Sequence, residues 1–239
     1  MSINIKKTKC MLFGTKQIVN KMQKVKLQLN DVNIQQVSSY KYLGMTLDKN
    51  LNYFLHLNQL IRKVSHKMYQ LKRVHSFLTE KSSLMIYKSF ILPHLEYGNI
   101  LYQNSNSKLL GKMQRLQNQC LKICLNLDKR HSDTNDVHKR SKLNLLKDRR
   151  EIQLLKIMYL SSKKSKYLEI FNDDRLRTRI MSVPKFKYPT DRNNLAKKSI
   201  IYTGSIFWNE YNSNVKKITD KDTFNSKMKC ILKEKLQNY

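Results

Sequence analysis

The hydrophobic positions of this chain follow two different periods. Up to about residue 50 they alternate with polar positions: Val25, Leu27 and Leu29 are separated by Lys and Gln, and Tyr40 and Tyr42 continue the alternation. This pattern predicts β-strands with one buried face. Beyond that point apolar residues recur every three or four positions, which predicts amphipathic helices. We therefore expect an α+β fold, a small antiparallel sheet followed by a mainly helical body.

Turn and cap residues set the expected ends of these elements. Asn30 to Asn33 supply turn residues between two strands. Thr79 is a good N-cap, and Pro93 lacks the amide hydrogen that a continuing helix needs. In chain order the helices are predicted at residues 57–74, 79–93 and about 109–127, after Asp148, and at residues 224–236.

Charge narrows the class of partner. The chain has 47 Lys and Arg against 17 Asp and Glu, a formal net charge of +30. Such a field attracts phosphate backbones, although it identifies no reaction. No apolar run reaches the roughly 18 residues that span a bilayer, and the N-terminus lacks the apolar segment of a signal peptide. We expect an intracellular protein, in the cytoplasm or nucleus, that is not secreted and has no membrane partner.

Composition divides the chain into three expected domains. Residues 1–52 hold the strands, residues 53–170 hold a helical domain, and residues 171–239 form a connector and a C-terminal helical extension. The stretch from about 171 to 194 contains two of the three prolines and many basic residues, as is typical of an exposed connector. Trp208 is the expected hydrophobic anchor of the last part.

Several short motifs occur in a definite order. Asn4, Lys7 and Thr8 form an Asn-x-x-Lys-Thr frame, and Tyr40-Lys41-Tyr42-Leu43-Gly44 follows about 30 residues later. Next come Pro93-His94-Leu95-Glu96-Tyr97-Gly98, a Leu-Gln-rich stretch around Arg115, and Phe207-Trp208-Asn209. In this order they resemble the last two palm motifs, the thumb and the C-terminal extension of reverse transcriptases from non-LTR (LINE-type, jockey-like) retrotransposons.

The resemblance implies roles for individual residues. In that family the Tyr-Leu-Gly hairpin lies against the primer strand, which implies a primer-grip role for Tyr42, Leu43 and Gly44 and a phosphate contact for Lys41. The alternative is a plain β-turn with aromatic packing. Lys7 corresponds to the late palm lysine proposed to protonate the departing pyrophosphate.

The helical part resembles the thumb, which holds the template and primer through their backbones. The candidate contacts on its basic faces are Lys63, Lys67, Arg73, Arg115, Arg149 and Arg150. RNA and DNA are therefore the expected partners, together with the upstream portion of the polymerase. The competing interpretation of each cation is that it belongs to an ordinary solvated face.

Polymerase chemistry needs carboxylates from two palm motifs to hold a pair of divalent ions. In the family those aspartates, which bind Mg²⁺, lie upstream of the Asn-x-x-Lys-Thr frame, so we expect no intact catalytic set, no metal site and no cofactor for this chain alone. Asp173 and Asp174 imitate an aromatic-x-Asp-Asp signature, but they come too late in the motif order. We interpret them as a turn or an N-cap in a basic loop.

The cysteines give a weak zinc pattern. Cys120, Cys124, His131 and His138 are spaced only loosely like zinc ligands. Both cysteines fall on the apolar stripe of a predicted helix, where a free thiol behaves as a small buried hydrophobe. We therefore expect buried thiols instead of a metal centre.

These observations predict a truncated member of the RNA-directed DNA polymerase family that binds nucleic acid without polymerising. Two other interpretations stay open. One is a non-catalytic interaction or structural protein whose exposed sheet edge pairs with another chain. The other is a generic basic nucleic-acid binder, in which the hairpin at Tyr42 to Gly44 has no special behaviour.

Overall fold

The computed structural model describes residues 4, 7–22, 26–29, 31–127, 133–163, 197, 199–211 and 213–237. Within these residues the strands are β1 (Lys9–Cys10), β2 (Gln28–Leu29), β3 (Val32–Asn33), β4 (Gln35–Gln36), β5 (Ser39–Tyr42) and β6 (Met45–Asp48). The predicted positions Val25, Asn30 and His131 and the connector at 171–194 lie outside the described residues.

The helices make up most of the described chain, so the predicted α+β class is confirmed. They are α1 (Lys16–Lys21), α2 (Phe54–Val74), α3 (Glu80–Ile86), α4 (Leu92–Glu96), α5 (Ser107–Cys124), α6 (Thr134–Ser141), α7 (Leu146–Lys163), α8 (Ile200–Glu210), α9 (Ser213–Lys216) and α10 (Lys221–Gln237). The periodic pattern did not predict α6, a short helix that begins at the N-cap Asp133.

The strands form three two-stranded pairs. β2 pairs with β3 and β5 with β6 in antiparallel register, as the alternation predicts. β1 and β4 pair in parallel instead. The reason is topological: the intervening chain contains α1 and the β2–β3 hairpin, which is long enough for β4 to run in the same direction as β1.

The expected end of the second helix at Pro93 is wrong. Thr79 does cap α3, because its side chain accepts a hydrogen bond from the Ser82 amide. The helix then widens over Tyr87–Ile91 into a π-type turn, in which the Leu92 N–H reaches the Tyr87 carbonyl. A wide turn next to the proline accommodates the missing donor, so helical structure continues through α4 to Glu96.

The larger hydrophobic core lies between α2, α3, α5 and the π-type turn. Leu57 and Val64 of α2 and Met113 of α5 are fully buried in it. Cys120 and Cys124 also lie in this core, as predicted, and burial raises the pKa of each thiol to about 12. Val74 continues the three-and-four spacing of apolar residues in α2, which predicts a packed position, but it is 45% exposed because the helix extends past the core there.

A second core joins α7 to α8 and α10. Trp208 is fully buried against it, as expected for an anchor, and Tyr159 stacks on Phe224 with ring centroids 3.9 Å apart. This core contains residues from both sides of the predicted boundary at 170–171, and the division into domains stays a prediction. Among the described residues no helix is both long and apolar enough to cross a bilayer.

Candidate nucleic-acid interface

The β5–β6 hairpin turns through two residues with positive φ. Leu43 has φ of 44° and Gly44 has φ of 81°, and Tyr42 pairs directly with Met45 across the turn. Two consecutive positive φ values define the type I′ turn that suits the twist of a tight hairpin. Glycine adopts this backbone readily, whereas leucine in the left-handed region costs about 1–2 kcal/mol. The turn itself therefore explains Gly44.

The hairpin tip packs on the corner formed by Tyr97 and Gly98. The Tyr97 hydroxyl donates a hydrogen bond to the Leu43 carbonyl. A Cβ atom at Gly44 would lie 3.4 Å from Tyr97 Cε1, and one at Gly98, where φ is 62°, would lie 2.7 Å from Met45 Sδ. Two motifs that are far apart in the sequence thus meet in one close contact.

The hairpin is also fixed to the start of α2. The Thr46 N–H donates to Nδ1 of His56 at 3.3 Å, and the Thr46 hydroxyl donates to Oε1 of Gln59 at 2.9 Å. His56 is buried, and burial lowers its pKa. The neutral imidazole therefore accepts from β6, and this contact sets the direction in which α2 leaves the sheet.

Three of the predicted cations are on the same sides of the hairpin and of α2 as the contact between Thr46 and Gln59. Lys41 lies opposite Thr46 in the β5–β6 register, so its side chain is on the side of the hairpin that faces α2. Gln59, Lys63 and Lys67 are four residues apart and form one ridge of α2. We call Lys41, Lys63 and Lys67 the cationic row.

An aromatic ring and a histidine border this row. Lys67 Nζ lies 3.1 Å from the centroid of the Phe90 ring, a cation–π contact. The pKa of Lys67 is lowered by desolvation and by Lys63, and the pKa of His94 is lowered by desolvation and by both lysines. Among the described residues no carboxylate forms an ion pair with Lys63 or Lys67, so their charge is available to an anion.

Two other predicted cations are exposed elsewhere on the helices. Arg73 lies in the last turn of α2. Arg115 lines a cleft of about 450 Å³ between α2 and α5, together with Lys72 and Lys122. Within the described ranges no hydrogen bond or ion pair joins either arginine to the cationic row.

The remaining candidates have other surroundings. Arg149 forms an ion pair with Glu96, and Arg150 is only 9% exposed. Lys7 is exposed, and its amide closes a turn by donating to the carbonyl and side chain of Asn4. No described contact brings Lys7 to the cationic row, and Asp173 and Asp174 lie outside the described residues.

Sequence reasoning missed three residues that border the cationic row or contact the hairpin tip, namely Phe90, His94 and Tyr97. His94 and Tyr97 belong to a motif that was noted only for its resemblance. No local signal marks Tyr97 as a partner of the hairpin, because the Leu43 carbonyl that it binds is 54 residues away in the sequence.

Among the residues that the structure describes, no group of three or more His, Cys, Asp or Glu side chains is placed to hold a metal ion. His138, the one histidine of the loose zinc pattern that the structure describes, is buried and makes hydrogen bonds through both ring nitrogens. Its Nδ1 lies 2.6 Å from the Leu143 carbonyl and its Nε2 lies 3.0 Å from Oδ1 of Asn118.

Comparison with known proteins gives two relatives from Drosophila melanogaster. The chain is 29% identical over 99 residues to the probable RNA-directed DNA polymerase from transposon BS, and 26% identical over 98 residues to that from transposon X-element. The chain is related to transposon reverse transcriptases. Each match covers 40% of this chain and 11% of the relative, so the chain spans about a tenth of the relatives' length. No family model and no solved structure matches.

The corner contact predicts that a substitution at Gly98 destabilises the fold, whereas the same substitution at Gly111, a glycine outside the corner, does not. Gly98→Ala is expected to lower the free energy of unfolding by about 1 kcal/mol or more, because alanine tolerates a positive φ poorly and its Cβ meets Met45. Gly111→Ala is the matched control inside α5, where a Cβ meets nothing within 4 Å, and should raise stability by about 0.5–1 kcal/mol. Urea unfolding measures both. A Gly98→Ala midpoint equal to that of the wild type would contradict the packing.

The buried His56 predicts a pH dependence. Its folded pKa is lowered, so its contribution to stability is complete above the unfolded value of about 6.5 and is lost as the pH falls below it. The melting temperature should therefore drop more between about pH 7.5 and about pH 5.5 for the wild type than for His56→Gln, which keeps an acceptor for Thr46. His66→Gln, an exposed change on α2, should retain the wild-type dependence. Equal drops for wild type and His56→Gln would refute this role.

Proposed function

We propose that this chain binds the phosphate backbone of RNA–DNA hybrid or duplex through one surface, made of the cationic row and the hairpin tip. The observation that carries the proposal is the hydrogen bond from the Thr46 hydroxyl to Gln59, which joins the hairpin to the α2 ridge. Lys41 is paired with Thr46 on the same face of the hairpin, and Lys63 and Lys67 continue the ridge from Gln59. A basic ridge without a described carboxylate partner offers charge to phosphates, and counterion release makes such binding favourable.

The similarity to transposon RNA-directed DNA polymerases supports this proposal, as does the net charge of +30. We also propose that the chain corresponds to the C-terminal part of a jockey-like enzyme, because the order of its motifs fits a late palm, a thumb and a C-terminal extension. In this proposal residues 1–52 are the palm remnant and residues 53–170 are the thumb, and the site of action is intracellular.

Binding and polymerisation are separate in this proposal. Nucleotidyl transfer needs two divalent ions held by paired carboxylates, and Mg²⁺ is assigned to the intact enzyme of the family. Primer extension on an RNA template with magnesium or manganese is expected to stay at the level of a heat-inactivated control. Extension that is lost in Asp173→Ala with Asp174→Ala would contradict the proposal.

One observation favours a second function, protein interaction. Phe13, Ile18, Leu27 and Val32 are each more than 40% exposed, and they lie beside strands that pair two by two in the described structure. Unpaired strand edges and exposed apolar side chains favour association with another chain. Self-association in light scattering that Val32→Lys removes would favour this function over nucleic-acid binding.

Charge reversal distinguishes a defined surface from a general polycation. Lys63→Glu with Lys67→Glu is expected to weaken binding to an RNA–DNA hybrid by about tenfold or more and to reduce the salt dependence, because two phosphate contacts are lost. Lys227→Glu with Lys229→Glu makes the same change in net charge on α10 and should have a small effect. Fluorescence anisotropy over a range of salt concentrations measures both. Equal losses in the two variants would leave only a nonspecific polycation.

The hairpin tip predicts a preference for recessed ends. Leu43→Asn removes an apolar side chain that is 72% exposed and is expected to stabilise the type I′ turn, since asparagine tolerates positive φ. It should nevertheless weaken binding to recessed hybrid ends more than to blunt ones. Leu55→Asn, at another exposed leucine, should affect both ligands alike. Equal affinity of Leu43→Asn and wild type for recessed ends would remove the primer-grip role of the tip.

A further inference from the structure

The cleft between α2 and α5 lies on the other side of α2 from the cationic row. Its volume is about 450 Å³, and clefts of several hundred cubic ångströms are the usual size of ligand sites. Lys63 of the row and Lys72 of the cleft are separated by about two and a half helical turns, so they face opposite sides of α2. The cleft is therefore a surface separate from the row.

Three cations line this cleft, and they come from both helices. Lys72 belongs to α2, whereas Arg115 and Lys122 are about two turns apart on α5. Lys72 and Arg115 are exposed, and no carboxylate among the described residues forms an ion pair with either. None of the described residues that line the cleft is acidic. Cations on both walls attract a phosphate chain that runs between the helices.

An exposed aromatic ring lies in the same cleft. Tyr69 comes one helical turn before Lys72, so both are on one face of α2. Tyr69 is 59% exposed, and no other ring or cation packs on it in the part of the chain that the structure describes. A free aromatic ring beside cations is the combination that binds single-stranded nucleic acid, because bases stack on the ring while the cations follow the backbone.

The other lining residues complete a surface for a nucleobase. Met68 and Ile123 are partly buried and pack against the larger core, so they give the cleft an apolar side on two packed helices. Asn118 and Gln119 add side-chain amides, which donate and accept hydrogen bonds. An apolar side, a ring and amides suit a planar polar base, whereas a ligand made only of carboxylates would use the cations alone.

We propose that this cleft binds a single-stranded segment of RNA or DNA. One base stacks on Tyr69, and the phosphates on either side of that base are held by Lys72 and Arg115. The inference rests on the nucleic-acid binding proposed above and adds to it a second form of ligand, a single strand, on the opposite side of α2. Such binding shows little sequence preference, because every base has a face that can stack.

Stacking on Tyr69 is tested by fluorescence anisotropy of the full chain with a labelled oligothymidylate of about eight nucleotides. Tyr69→Ala is expected to weaken binding by about fivefold or more, which is the effect of losing one stacked base. Tyr69→Phe keeps the ring and should stay within about twofold of the wild type. An abasic strand of the same length keeps the phosphates but has no base to stack, so Tyr69→Ala should not change its affinity.

Charge reversal separates the cleft from the cationic row. Lys72→Glu with Arg115→Glu is expected to weaken oligothymidylate binding by about tenfold or more and to have a small effect on a blunt RNA–DNA hybrid. Lys63→Glu with Lys67→Glu makes the same change in net charge and should do the reverse, so failure of one surface is distinguishable from failure of the other. Circular dichroism confirms that each variant folds, and the exposed Tyr69 keeps the test valid if a double variant does not.

Several results would overturn the proposal. Wild-type affinity in Tyr69→Ala, or an equal loss on the abasic strand, would remove the stacking contact. Equal losses of oligothymidylate binding in the two double variants would leave nonspecific attraction of polyanions. Oligoglutamate that competes as well as the oligonucleotide would indicate an acidic peptide as the ligand instead. Oligouridylate distinguishes an RNA strand from a DNA strand, and binding of either that depends on Tyr69 supports the site.

Discussion

The close approach of the β5–β6 turn to the Tyr97–Gly98 corner organises much of the larger core. Glycine at both positions provides the positive φ values, and Met45 occupies the space that a Cβ at Gly98 would take. The same hairpin is joined to α2 through Thr46 and His56. Just before the corner, Glu96 pairs with Arg149 at the start of α7. Contacts at or next to this one corner therefore connect the β5–β6 hairpin, α2 and the helix α7 of the second core.

The scarcity of carboxylates decides which cations face solvent unpaired. With 17 Asp and Glu against 47 Lys and Arg, most basic residues have no acidic partner available. Several of the acids are used inside the fold, where Glu96 pairs with Arg149 and Lys235 is shared by Asp148 and Glu151. The α2 ridge has no such described partner. Its charge is therefore not neutralised by a described carboxylate, and the proposed binding should depend strongly on salt.

Local signals predicted the helices well and the tertiary contacts poorly. The three-and-four spacing of α2 and α5 and the cap at Thr79 are set by neighbouring residues, so the sequence contains them. The helix end predicted at Pro93 was wrong because a π-type turn, which no simple periodicity indicates, lets helical structure continue past the proline. The burial that the spacing predicts for Val74 was wrong because the helix continues beyond the end of the core.

In the candidate site, too, the sequence predicted local features but not the tertiary contacts. The sequence indicated the hairpin and the α2 cations, yet Tyr97 lies 54 residues from the Leu43 carbonyl that it binds, and no local pattern predicts that pairing. Arg149 and Arg150 resemble an exposed basic pair in the sequence. In the fold one is held by Glu96 and the other is buried, which depends on how α7 packs and cannot be inferred from spacing alone.

Hydrogen–deuterium exchange with and without a recessed RNA–DNA hybrid tests the central claim most directly. The claim is that the hairpin, the α2 ridge and the corner form one binding surface. The account predicts that the hybrid slows exchange together in residues 41–47, 59–70 and 88–97 and leaves α10 (Lys221–Gln237) unchanged, although α10 is also rich in lysine. Protection spread evenly over all basic helices, or confined to α10, would contradict it.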